Sequence, residues 1–151
     1  MISKLLTAFV LLALCVLVHT SGLAFLFRRS MASVEKSELG VVGLAGAMIK
    51  IASWLLFLHL CEIAIWAVFY WWRGCLPDLE TAVYFSAVTY ATVGYGDVVL
   101  PMESRMLGPF EGLSGILMCS LSTGFFFLAA SRLYASATPA RGENHGGGRD
   151  S

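Results

Sequence analysis

The sequence predicts an all-α membrane protein, with three spanning helices and one short helix that enters the membrane and turns back. Three observations lead there. The 151 residues are 58% hydrophobic and 13% charged, a charged share about half that of a soluble domain. Three apolar stretches are each long enough, at ~1.5 Å per residue, to cross a ~30 Å hydrocarbon core. Between the second and the third lies a shorter stretch that ends in glycine-rich backbone, Thr92 to Asp97. The formal net charge of zero leaves no electrostatic case for a nucleic-acid partner, and no dinucleotide or P-loop fingerprint is present. Cys15, Cys61, Cys75 and Cys119 form no Cys-x-x-Cys pair, so neither a disulfide framework nor a zinc knuckle is indicated.

Residues 1–28 hold the first span, an apolar run from Leu5 to Phe27. Its alternative is a signal peptide, which Lys4 before the run would suit, but no convincing small-x-small cleavage site follows and the apolar run is long for one. Residues 29–43 read as a loop carrying Arg28 at its edge, Arg29 and Lys36, with Gly40, Gly43 and Gly46 forming a loose interfacial turn or a close helix approach. Residues 44–134 hold the rest of the membrane domain. The second span runs to Trp72, with Lys50 snorkelling at one end. Trp66, Tyr70, Trp71 and Trp72 form an aromatic belt at the other. Pro77 and Asp78 open a helix over Leu79 to Tyr90, with Asp78 as N-cap and Glu80 in the first turn. That helix is only ~18 Å long and cannot span. Arg105 to Tyr134 forms the third span, and residues 135–151, ending Gly-Gly-Gly-Arg-Asp-Ser, are too polar to build a core.

The stretch Thr92-Val93-Gly94-Tyr95-Gly96-Asp97 is too polar and too rich in glycine for a helix. Irregular backbone at membrane depth is tolerated where it is buried in protein or lines a watery path. Gly94 and Gly96 adopt backbone angles a side chain forbids. Alternation of such angles turns successive carbonyls the same way, and about four copies around an axis would stack rings of oxygen that replace the water shell of K⁺.

This hexapeptide resembles the signature filter of potassium channels, complete and without substitution, and the resemblance extends over roughly Ile51 to Tyr134. It implies two transmembrane helices around a re-entrant pore helix and filter loop, assembling as a homotetramer, and the first span adds one further N-terminal transmembrane helix outside the resemblance. It implies K⁺ sites at the carbonyls of Thr92, Val93, Gly94 and Tyr95 and at the Thr92 hydroxyl, with Gly96 turning the chain out and Asp97 at the outer mouth. K⁺ is then the permeant ion, no cofactor is needed, no reaction is catalysed, and the lipid bilayer is the remaining partner. Some members carry a glutamate where Val88 stands, so that acid pair is absent and Tyr84 is the expected partner of Asp97. Ser86 and Thr89 either bond behind the filter or back-bond to their own helix.

A filter entered from outside sets the topology. The second span then runs outward and the third inward, which puts the N-terminus outside and the C-terminus in the cytoplasm. Seven basic residues fall inside (Arg28, Arg29, Lys36, Lys50, Arg132, Arg141, Arg149) and three outside (Lys4, Arg73, Arg105), in line with the positive-inside rule. A compact chain of this kind fits a bacterial inner membrane.

Gating residues are sought among the remaining polar groups. Glu62 falls near mid-membrane, His59 stands three positions earlier on the same face, and His19 reaches a similar depth. Three readings are open: a polar contact locking the first span to the second, a proton sensor, or a metal site that also uses Cys15. Glu111 lies in the upper third of the third span. Gly115 and Gly124 serve either a gating bend or close helix packing. Absence of an arginine ladder excludes a voltage sensor of the usual kind, leaving leak-like conduction or gating by protons, lipid or tension. The competing functions are a non-conducting, channel-like subunit that regulates a partner, and a metal-binding or enzymatic membrane protein built on His59 and Glu62.

Overall fold

The computed structural model describes residues 2–34 and 41–137. Four helices follow in order: α1 Ile2–Val34, α2 Val41–Trp72, α3 Leu79–Tyr90 and α4 Leu107–Ala137. Three of them, α1, α2 and α4, are long and apolar enough to cross a membrane, and no strand occurs among the described residues. The chain is an all-α membrane protein. Lys36 and Gly40 of the expected loop, and Arg141 and Arg149 with the tail they belong to, lie outside the described residues.

Helix α1 continues past residue 28, so Arg28 and Arg29 stand on its last turns and not in a loop. Gly43 and Gly46 belong to the first turns of α2 and not to a turn, and a Cβ at Gly46 would meet nothing.

A stripe on α1 (Ala8, Leu11, Cys15, His19) is buried, at the spacing of three or four residues that keeps one helical face turned inward. Gly22 extends that stripe by letting Leu58 of α2 close onto the α1 backbone, and the Trp54 indole donates to the Gly22 carbonyl at 3.1 Å. Helix α1 packs on α2 and α4, and α3 is wedged between α2 and α4. Two apolar clusters result. One joins Ala8, Leu11, Trp66, Tyr70, Ala82 and Leu107 around the short helix. The other joins Ile51, Leu55 and Leu133 with Leu23, Leu26, Phe125 and Phe126. Beside the second, the Arg132 guanidinium lies over the Phe27 ring, 5.4 Å from its centre, so the C-terminal ends of α1 and α4 stand together.

The expected aromatic belt divides. Trp66 and Tyr70 are fully buried, whereas Trp71 and Trp72 are exposed. One helical turn separates Trp66 from Tyr70 and puts both on the packed face of α2, while the next two residues rotate off it. Phe127, unlike Phe125 and Phe126 before it, also points outward.

Candidate functional site: the loop after the short helix and the polar groups behind it

Asp78 caps α3 from both carboxylate oxygens, accepting from the Thr81 amide at 2.7 Å and the Thr81 hydroxyl at 2.9 Å. Hydrogen bonds at this exposed cap hold the Asp78 carboxyl below its ordinary value. At the other end the last carbonyls of α3 capture the loop that follows. The Val88 carbonyl accepts from the amides of Val93 and Gly94 at 2.9 and 3.3 Å, and the Thr89 carbonyl accepts from Thr92 at 2.9 Å. The loop is thereby hung from the helix that precedes it.

Its backbone alternates. Thr92 (φ 60°), Gly94 (φ 57°) and Gly96 (φ 80°) occupy the left-handed region, and Val93 and Tyr95 between them do not. Glycine takes this conformation without steric cost. Threonine is β-branched and a true outlier there, so Thr92 is held by its surroundings at a cost of about 1–3 kcal/mol. Strain of that kind clusters at functional sites. At the end of the loop Tyr84 donates to Asp97 at 2.6 Å. That bond is the main reason the Asp97 carboxyl sits below, and the Tyr84 phenol above, its ordinary value.

Two polar networks lie behind the loop. In the first, Glu111 of α4 is fully buried and accepts from Tyr70 of α2 at 2.9 Å. Ser86 of α3 contacts the other Glu111 oxygen and donates to the Ile63 carbonyl at 2.9 Å. Ser86 therefore ties α3 to α2 and α4 and does not back-bond. The Thr89 methyl faces Gly108 of α4. In the second network Glu62 is fully buried. It faces His19 Nδ1 at 2.8 Å and His59 Nδ1 at 3.5 Å and accepts from Tyr90. His59 Nδ1 also stands 3.0 Å from the Tyr90 hydroxyl. Ser122 Oγ lies 3.1 Å from His19 Nε2 and 3.0 Å from His59 Nε2.

The structure thus brings His19, His59 and Glu62 together and leaves Glu111 in a separate network. Cys15 is one turn away on α1, beside Ser114 and Trp66, and outside the His–Glu group. A Cβ at Gly115 would overlap the Tyr90 carbonyl, so this glycine serves close packing; Gly124 has open space around it. Helix α4 runs unbroken through both. Tyr90, Ser122 and Tyr70 join these networks through the packing of the helices. Tyr90 had one available signal: a phenol at the inner end of a helix that stops inside the membrane must find a partner. An open pocket beside the start of the loop is lined by Tyr90, Thr92, Gly115, Cys119, Ser120 and Thr123.

Comparison with known families matches residues 56–132 to the family described as ion channel. The match takes in α3, the alternating loop, most of α2 and most of α4 and covers half of the chain. The chain belongs to the ion channel family. No curated protein and no solved structure matches it. The family and the three apolar helices make the chain an integral, multi-pass membrane protein. Within the channel, helix α1 lies N-terminal to the matched region and is joined to it through Glu62 and Ser122.

Proposed function

We propose that the chain is the subunit of a K⁺-selective channel, a homotetramer that conducts passively through rings of carbonyls from Thr92, Val93, Gly94 and Tyr95. The observation that carries this reading is the alternation of φ at Thr92, Gly94 and Gly96, on a loop suspended from the C-terminal end of a helix too short to span. Alternation turns successive carbonyls to one side, and four such strands around an axis would replace the hydration shell of K⁺. The negative end of the α3 dipole would favour a cation at the inner end of that path. Exposure of Val93 and Tyr95 in the single chain fits a loop whose remaining surface is covered by other subunits. Ions leave because neighbouring occupied sites repel, so no reaction and no cofactor is involved.

The same reading puts the N-terminus outside and the C-terminus in the cytoplasm, in a membrane of bacterial inner-membrane type. The orientation is supported by the charge asymmetry and by the pairing of Arg132 with Phe27, which sets the ends of α1 and α4 on one side.

The test is K⁺ flux from liposomes holding the purified protein, with Na⁺ as the control ion and Ba²⁺ as blocker. Flux that is selective for K⁺, blocked by Ba²⁺ and abolished by Gly94→Ala is expected. A folded tetramer that passes neither ion would replace this reading with that of a non-conducting regulatory subunit.

A further inference from the structure

All four helices send a polar side chain to one buried point. His19 comes from α1, His59 and Glu62 from α2, Tyr90 from α3 and Ser122 from α4. His59 and Glu62 share a helix face by their spacing of three, and His19 reaches Glu62 from 43 positions away in the chain. One nitrogen from each ring and one carboxylate oxygen lie within 4.8 Å of one another. The far nitrogens are anchored as well. Nε2 of His19 and Nε2 of His59 both stand about 3 Å from the single hydroxyl of Ser122.

The ring geometry gives this cluster its chemistry. A hydroxyl has two acceptor sites, so Ser122 accommodates an Nε2–H from each histidine. With both rings in that tautomer, the lone pair of each Nδ1 turns towards the Glu62 carboxylate. In that tautomer, lone pairs facing lone pairs at 2.8 and 3.5 Å repel unless a positive species lies between them, the place a divalent ion would take. Two imidazole nitrogens and one carboxylate are the donor set of catalytic-type zinc sites, which keep a further position open. Imidazole selects zinc-class metals over Mg²⁺ and Ca²⁺, which require oxygen ligands. The Ser122 anchor supplies what such sites have beyond their ligands, a fixed partner for the far ring nitrogens. A divalent ion would also offset the buried charge of Glu62, whose desolvation is otherwise costly.

We propose that His19, His59 and Glu62 form a binding site for a divalent transition metal of the zinc class, with the Tyr90 hydroxyl beside its open position. The ion reaches the site past His59, whose side chain is 16% exposed, and past Tyr90, which borders the open pocket. Bound there, it joins α1 to α2 beside Tyr90, which stands two residues before Thr92. The site rests on the fold and does not depend on K⁺ selectivity.

The test uses the full chain in detergent, stripped with a chelator and titrated with Co²⁺ while its visible absorption is followed. Zn²⁺ is then added to displace the Co²⁺, and Mg²⁺ serves as control. The expected result is about one Co²⁺ per chain in a low-symmetry nitrogen–oxygen site, displaced by Zn²⁺ and untouched by Mg²⁺. His59→Gln and Glu62→Gln should each weaken binding by more than about tenfold, and Ser122→Ala by about 10- to 100-fold through loss of ring anchoring. Size-exclusion elution and helical circular dichroism monitor the fold of each variant. A wild-type chain that binds no Co²⁺, or binds it equally in a folded His59→Gln or Ser122→Ala variant, overturns the proposal and leaves a purely hydrogen-bonded cluster. Binding is read without ion flux, so loss of the channel reading would not disturb the result.

Discussion

Thr92, Gly94 and Gly96 show how backbone and side chain divide the work within six residues. A Cβ at Gly94 or Gly96 would meet nothing within the single chain, so alanine there is opposed by its dihedral angle and not by a clash. About 1–2 kcal/mol of strain would favour a flipped peptide, and in the proposed filter a flipped peptide would withdraw a carbonyl from the ring. Tyr84 and Asp97 hold the far end of the loop by one exposed hydrogen bond. Asp97 has its pKa depressed below the ordinary 3.8. Its contribution is therefore complete above that value and is lost as pH falls through the lower folded value. Tyr84 is raised above the ordinary 10.0, so its contribution is complete below that value and is lost as pH climbs through the higher folded value. The Tyr84→Phe variant should accordingly lose thermal midpoint relative to wild type across the neutral range, with the difference vanishing in strong acid and strong base. Melting curves against pH check this. A constant difference at every pH would mean that the hydroxyl acts by packing alone.

Helices in this molecule meet through small residues and through buried polar contacts. Gly115 lets α4 lie against the Tyr90 carbonyl. Gly115→Ala should destabilise by about 1–3 kcal/mol, the usual cost of overpacking. Gly124 faces open space, and Gly124→Ala should be neutral or gain up to about 1 kcal/mol of helix propensity. Detergent denaturation of the two variants compares them, and equal losses would argue that both glycines serve a bend. Glu111 binds α4 to α2 and α3 at once. Its replacement by alanine leaves the Tyr70 and Ser86 hydroxyls buried with one partner fewer, at about 1–3 kcal/mol for each group left unsatisfied. Glu111→Gln, which retains a carbonyl acceptor, should lose less in the same assay.

Across the whole molecule, much apolar surface remains exposed on the single chain. Leu113, Ile116 and Leu117 on α4 and Tyr95 on the loop are all open, beside the pocket lined by Thr92 and Thr123. Lipid covers such surface on the outside of a membrane protein, but Tyr95 and Thr92 belong to the loop that the proposed filter needs facing an axis. Native mass spectrometry should find an assembly of about four chains of 16.4 kDa. A monomer or dimer that still conducts K⁺ would overturn the fourfold carbonyl ring. Helix α1, outside the matched region, is joined to the rest by the His19–Glu62 and His19–Ser122 contacts and by its packing on α2 and α4.

Run lengths and end signals are local properties, and they were legible in the sequence. Three apolar runs dictated three long helices, and Pro77-Asp78 ahead of a polar glycine loop dictated one short helix at Leu79–Tyr90. The spacing His59-x-x-Glu62 already put two polar groups on one face. The inward faces of the long helices were not legible. A helix that is apolar on every side carries no periodic signal of its buried face, so Trp66 and Tyr70 read as interfacial although they are buried. The convergence of Tyr90 and Ser122 on the histidines was also hidden, since His19 and Ser122 stand 103 positions apart. Only the packing of α1, α3 and α4 against α2 could decide it. In an apolar solvent a polar side chain gains most by meeting another, and which partner it meets is set by helix register and crossing, not by its neighbours in the chain.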